Sequence, residues 1–217
     1  MSNLNGAVVL VVGATGGLGS RIATQLESLG ASVVRIARAE SDLQDVDGPS
    51  KAVGAAIASH GRLDGLVIAA GVVAFGPIES VSDAAITELF ATNTIGPIRL
   101  IREATPHLAA SATAGRDPFI VTFSGIVADA PTAGLASYSA AKAGLAAFTK
   151  AATRELRKSG IRILDARPGH TETELSLHPI EGSAPPFPDG LDPDAVAARI
   201  VRAIVDDEKD LPSTEFS

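Results

Sequence analysis

Five short runs rich in β-branched and other apolar residues, at 7–12, 32–37, 63–69, 118–123 and 161–166, alternate with longer segments whose apolar residues recur at helical spacing. A strand too apolar to show an in-and-out pattern has both faces covered, which is the condition of parallel strands joined by crossover helices. The alternation therefore predicts an α/β fold, with one doubly wound, mostly parallel sheet carrying helices on both faces and each strand buried on both sides. Helices are expected over 17–29, 49–60, 82–108, 134–159 and 192–206, with Ser82 and Asp192 as N-caps, and a weak last strand near 211–216. A chain of 217 residues accommodates one such domain and no second one of useful size, so residues 1–217 are read as a single domain.

Composition narrows the chemistry. With no cysteine, thiolate nucleophiles, thiolate metal sites and disulfide scaffolds are all excluded. Lys and Arg total 18 against 25 Asp and Glu, a net charge of −7, and no block of like charge could track a phosphate backbone, so nucleic acid is not an expected partner. His60, His107 and His178 show no ligand spacing, and no metal is expected. The weakly polar stretch 65–76 is well short of the ~20 residues that span a bilayer. The opening Met-Ser-Asn-Leu-Asn-Gly has no basic residue ahead of its apolar run, so it does not read as a signal peptide. A cytoplasmic protein with no membrane partner is the expectation.

Between the first strand and the first helix lies Gly13-Ala14-Thr15-Gly16-Gly17-Leu18-Gly19. Glycines there permit positive φ and let a pyrophosphate come close, while the free N–H groups and the dipole of the helix N-terminus favour its charge. The alternative is a tight turn with no ligand. With the strand pattern, this turn makes the fold Rossmann-like and the domain dinucleotide-binding.

Tyr138-Ser139-Ala140-Ala141-Lys142 contains the only tyrosine of the chain. At i and i+4 on a helix, phenol and ammonium share one face, and a neighbouring cation would lower the phenol pKa from ~10 toward working pH, as a general acid/base for a carbonyl or alcohol needs. A surface Tyr/Lys pair is the alternative. Pro97 lies four residues after Asn93 and has no N–H for the Asn93 carbonyl, so a kink is expected there, with the carbonyl able to hold a water; a kink of packing origin alone is the other reading.

The glycine turn, Asn93, Tyr138, Lys142 and Pro168-Gly169, in this order along nearly the whole chain, resemble the short-chain dehydrogenase/reductase (SDR) family. The resemblance implies that Tyr138 is the acid/base, that Lys142 binds the nicotinamide ribose and lowers the tyrosine pKa, and that Asn93 completes a proton relay. It implies cofactor contacts from Gly13, Thr15, Gly17, Leu18 and Gly19, from Ala70 and Gly71, and from Pro168, Gly169, Thr171 and Thr173. Asp42 and Leu43 resemble the pair that contacts the adenine.

Two departures stand out. The family's substrate-orienting serine falls on Gly125, and Ser124 replaces it only if the strand end bulges or slips by one residue, since side chains alternate between faces. The turn after the third strand reads Ile68-Ala69-Ala70-Gly71, without the family's asparagines. At the end of the second strand Arg38 stands where an acid would accept from a ribose 2′-hydroxyl; a guanidinium suits a 2′-phosphate, so NADP (NADPH) is the expected cofactor, a solvated surface arginine being the alternative.

The segment 38–48 leaves no space for a further helix and strand, and 171–191, with Pro179, Pro185, Pro186 and Pro188, reads as a loop acting as a lid over a modest apolar pocket. His170 reads as a solvated loop histidine. The resulting expectation is an NADP(H)-dependent enzyme that interconverts a small carbonyl and an alcohol. The alternative is a cofactor-binding relative with little turnover, a sensor or scaffold, motivated by Gly125. Ala143, Ala147 and Ala151 give the tyrosine helix a small-residue face, and the resemblance implies a homodimer or homotetramer.

Overall fold

The computed structural model describes residues 4–216; residues 1–3, which enter the reading against a targeting segment, and Ser217 lie outside them. Strands are β1 (Val8–Val12), β2 (Ser32–Ile36), β3 (Gly65–Ile68), β4 (Phe119–Phe123), β5 (Arg162–Ala166) and β6 (Asp210–Leu211). The α-helices are α1 (Gly17–Ser28), α2 (Gly48–His60), α3 (Asp83–Phe90), α4 (Gly96–Thr113), α5 (Ala136–Leu156) and α6 (Pro193–Val205). All strands are parallel, in the order β2-β1-β3-β4-β5-β6.

Successive strand side chains point to opposite faces, and both are covered. Val9 and Val11 of β1 pack with Ile22 and Leu26 of α1 and with Val196, Ile200 and Ile204 of α6. Leu10 and Val12 pack with Val53 of α2 and with Leu100, Ile101 and Leu108 of α4. Every residue of β1, β3, β4 and β5 is buried, as their apolar-rich runs predict, and the burial extends to Thr122, Arg162 and Asp165.

The second strand departs from that prediction. β2 pairs only with β1, Ser32 and Arg35 are exposed, and Val33 and Val34 are half-buried. Turns occupy the short segment after it, so its outer edge has no neighbouring strand among the described residues.

The single helix expected over 82–108 is in three pieces. Ser82 caps α3 by accepting from Ala85 N at 3.1 Å, a π-helical turn spans Ala91–Ile95, and α4 then begins at Gly96. Pro97 cannot return a hydrogen bond to Asn93, so the helix widens where the sequence places the kink. Gly134, at φ +77, precedes α5 rather than starting it. The last strand is shorter than 211–216: only Asp210–Leu211 pairs, since Pro212 has no N–H for the ladder, and Ser213–Glu215 form a 3₁₀ turn.

The loop between β5 and α6 is pinned at mid-length. Phe75 N donates to Glu181 O at 2.9 Å and Ile180 N to Val73 O at 2.8 Å, so the expected lid is a roof tied to the segment that leaves β3. Asp192 caps α6 by accepting from Asp194 N at 3.0 Å.

Candidate active site

The carboxyl ends of the parallel strands meet at one edge, and the glycine turn is built for close approach there. Gly13 has φ +84, and a Cβ on it would come within 2.5 Å of Ala70 N. A Cβ on Gly19 would come within 2.2 Å of the Gly13 carbonyl oxygen, so this glycine sets how tightly α1 folds back onto the turn and does not itself line the groove. No side chain caps α1, whose first N–H groups are left for a ligand.

Two cavities, of about 500 Å³ and about 180 Å³, share Gly16, Ala69, Ala70 and Gly71 and so form one groove across this edge. The smaller is lined by Gly13, Thr15, Arg38, Asp42 and Leu43, and by Thr92, whose buried hydroxyl has no hydrogen-bond partner among the described residues. The larger holds Gly17, Leu18, Pro168, Gly169, Thr171 and Thr173 along one wall, and Gly125, Tyr138 and Lys142 along another. Two joined compartments, a helix N-terminus between them and an orphaned buried hydroxyl in the smaller one fit the two halves of a dinucleotide. Arg38 is engaged already: its Nε donates to Asp42 at 2.8 Å and one terminal nitrogen to Glu88 at 3.2 Å, and the Asp42 bond leads in holding its pKa above the ordinary value.

Around the tyrosine, the geometry corrects one expectation. Lys142 Nζ lies 5.7 Å from the centre of the Tyr138 ring and donates to the Phe123 carbonyl oxygen at 2.7 Å. The phenol is not made more acidic. Tyr138 keeps part of its surface on the cavity, yet burial pushes it up to about 12. Burial brings Lys142 down to about 8, against the upward pull of the Asp165 carboxylate. Asn93 is fully buried, accepting from Val72 N at 3.2 Å and donating to Val72 O at 2.9 Å. A Cβ on Gly71 would stand 3.0 Å from Asn93 Oδ1 and 3.7 Å from Lys142 Nζ, so Gly71, Asn93 and Lys142 converge.

Ser124 is a second correction. It is 0 % exposed, and its hydroxyl donates to Asp165, which also accepts from Thr122 Oγ1 at 2.8 Å and from Arg167 at 3.1 Å. The β4 register against β5 runs unbroken from Phe119 to Phe123, with no bulge to turn Ser124 toward the cavity. Gly125, at φ +71, lines the cavity instead, and a Cβ there would meet only the Pro168 carbonyl oxygen, at 3.9 Å.

Sequence reasoning missed several residues. His170 lines the larger cavity and stacks on Phe187 with ring centres 4.5 Å apart, and Phe187 in turn lies 6.0 Å from Phe75. Phe75 and Phe187 belong to distant loops without periodicity, and only the proline-rich character of 171–191 pointed toward this wall. Asp165 and Arg162 sit inside a strand that is buried throughout, a signal for a buried polar network that could have been followed. Among the described residues, no three His, Asp or Glu side chains group as a metal site.

The model of the short chain dehydrogenase family matches residues 39–180. An uncharacterized oxidoreductase of Methylorubrum extorquens is 30% identical over 196 residues, covering 80% of this chain and 77% of that protein. The 3-oxoacyl-(acyl-carrier-protein) reductase of Escherichia coli is 29% identical over 192 residues, with the same two coverages, 80% and 77%. Among solved structures, the 3-ketoacyl-(acyl-carrier-protein) reductase of Brucella melitensis complexed with NADH superposes with a TM-score of 0.86 at 23% identity, covering 99% of this chain and 100% of that one, which speaks for the fold.

Proposed function

We propose, for a chain that belongs to the short chain dehydrogenase family and so among oxidoreductases acting on carbonyl and alcohol groups, that it reduces a small carbonyl compound with NADPH. The observation that carries this reading is the shared cavity of Tyr138, Lys142 and the glycine turn. When bound, the nicotinamide supplies the hydride that reaches the carbonyl carbon. Tyr138, a neutral phenol with its pKa pushed up to about 12, supplies the proton to the carbonyl oxygen. The Lys142 ammonium, 5.7 Å from the ring, steadies the phenolate left behind until solvent returns the proton. Asn93, fixed by Val72, holds the Lys142 side of the groove, and its main-chain carbonyl is read as the seat of a water that passes this proton.

Pro168, Gly169, Thr171 and Thr173 are read as the nicotinamide wall, and Arg38, Asp42 and Leu43 as the adenosine end. NADPH over NADH follows from Arg38, whose guanidinium suits a 2′-phosphate, but Asp42 and Glu88 already share its charge, so the preference is modest. The outer face of α5, with Ala147 and Ala151 exposed and Ala143 half-buried, is read as a self-association surface giving a homodimer or homotetramer; sedimentation that finds only monomer rejects it.

The test is Tyr138→Phe. NADPH affinity should persist while reduction across a panel of ketones and aldehydes is lost. A wild-type protein that binds NADPH and oxidises it with no carbonyl in that panel would instead be a sensor or scaffold, as the glycine at 125 first suggested.

A further inference from the structure

His170 follows Pro168-Gly169 beyond β5, and its ring is held on three sides. One face stacks on Phe187, with planes 28° apart. Cδ2 lies against Gly190, where an added Cβ would come within 2.8 Å of it. Nε2 stands 3.4 Å from Glu172 Oε1, and that oxygen is fixed by accepting from Gly190 N at 2.7 Å. A carboxylate only accepts, so whatever Nε2 shares with Glu172 it shares as the donor, and Nδ1 is left for another partner. Nδ1 belongs to the ring edge opposite Cδ2. It has no hydrogen-bond partner among the described residues, and it is not sealed inside the protein.

The larger cavity therefore has in its wall an imidazole with one ring nitrogen unengaged, on the same chain segment that borders Gly125. Pro168 O accepts from Ile126 N at 3.0 Å and is the nearest atom to the space beside Gly125. Glycine leaves that space open, while Phe75, Val127 and Leu135 make the neighbouring wall apolar.

We infer that His170 determines substrate specificity: its Nδ1 hydrogen-bonds a hydroxyl carried next to the reacting carbonyl, so that hydroxyketones with an apolar body are preferred to the corresponding plain ketones. The inference rests on the reading of Tyr138 as proton donor to a carbonyl in this cavity. Glu172 acts as the positioning residue for the ring, and Phe187 as its support.

The probes are 2-hydroxyacetophenone and acetophenone, which differ by one hydroxyl beside the same carbonyl. Their affinities for the NADPH-loaded protein are measured by calorimetry, and kcat/KM is measured for each. The hydroxyketone is expected to lead by about tenfold, the worth of one hydrogen bond. His170→Phe keeps a ring against Phe187 and should bring the ratio to near one. His170→Asn, whose amide oxygen falls near the former Nδ1, should keep the preference; His170→Gln, which reaches the Nε2 position, should not. Equal affinity of the wild type for the two ketones overturns the inference, as does a preference that survives in His170→Phe. Binding and turnover separate the two readings: preferential binding without turnover retains the His170 contact and removes the reductase, whereas turnover of both ketones without preference does the reverse.

Discussion

Lys142 Nζ donates to the carbonyl oxygen of Phe123, the last residue of β4, and that bond fixes where the ammonium stands relative to Tyr138. The cation's attraction for a phenolate is outweighed by burial, so Tyr138 is neutral before the reaction. Reduction should accordingly be fast where Lys142 is charged and Tyr138 is neutral. Burial leaves Lys142 near 8 and Tyr138 near 12, so kcat for reduction should fall through a single ionisation as pH rises past about 8. In Lys142→Met the profile should be flat through this range and low throughout. Tyr138→Phe should lose about 10²–10⁴ in kcat, the usual worth of a positioned proton donor. A profile of kcat against pH from 6 to 10 checks both; a rate that climbs through 8 contradicts the assignment.

Ser124 belongs to the core network of Asp165, Thr122 and Arg167 and not to the cavity. Ser124→Ala should leave kcat/KM within about threefold, while losing one hydrogen bond to the Asp165 carboxylate, whose same oxygen keeps Arg167, costs about 1.5–3 kcal/mol of stability. Urea unfolding beside steady-state kinetics separates the two effects. A hundredfold loss of kcat with unchanged stability would return Ser124 to the catalytic set.

Arg38 is shared between Asp42 and Glu88. Glu88→Gln frees part of its charge and should raise the affinity ratio of NADPH to NADH by about three- to tenfold, at the scale of a charge-assisted hydrogen bond on an exposed arginine. Arg38→Ala should bring the ratio close to one. Calorimetric titration with both cofactors measures it, and an unmoved ratio in both variants places the discrimination elsewhere.

Gly71 is where Asn93 and Lys142 come together. The Cβ of Gly71→Ala would lie 3.0 Å from Asn93 Oδ1, tight enough to displace that side chain by a few tenths of an ångström and to disturb its hold on Val72. A shift of this size beside the reacting groups should lower kcat by about tenfold. Single-turnover reduction with the cofactor saturating isolates this step from binding.

Much of the sheet was legible from composition along the chain, because a strand covered on both faces has no choice but to be apolar throughout. That logic failed at β2, where Val33 and Val34 are as apolar as the neighbouring strands although one edge has no partner strand; only the polar Ser32 and Arg35 mark the difference on the strand itself. The kink at Asn93 was legible because proline lacks a specific hydrogen. The orientation of Ser124 followed from strand alternation alone, and the structure keeps that alternation. His170, Phe75 and Phe187 were not legible, since their proximity is created by the roof loop closing on Val73 and Phe75. The acidity of Tyr138 was misjudged for a different reason: i, i+4 spacing brings a lysine near the ring, but which acceptor its ammonium chooses depends on the end of β4.

The bare border of β2 also has a colloidal consequence. A row of open backbone donors and acceptors beside half-covered valines invites another chain to add itself, and charge is the ordinary deterrent. Arg35, clamped to Glu27 at 2.9 Å and to Thr24 at 3.0 Å, supplies that charge on an exposed position of the strand. It stands an ion pair beside that border, at a position remote from the cavity.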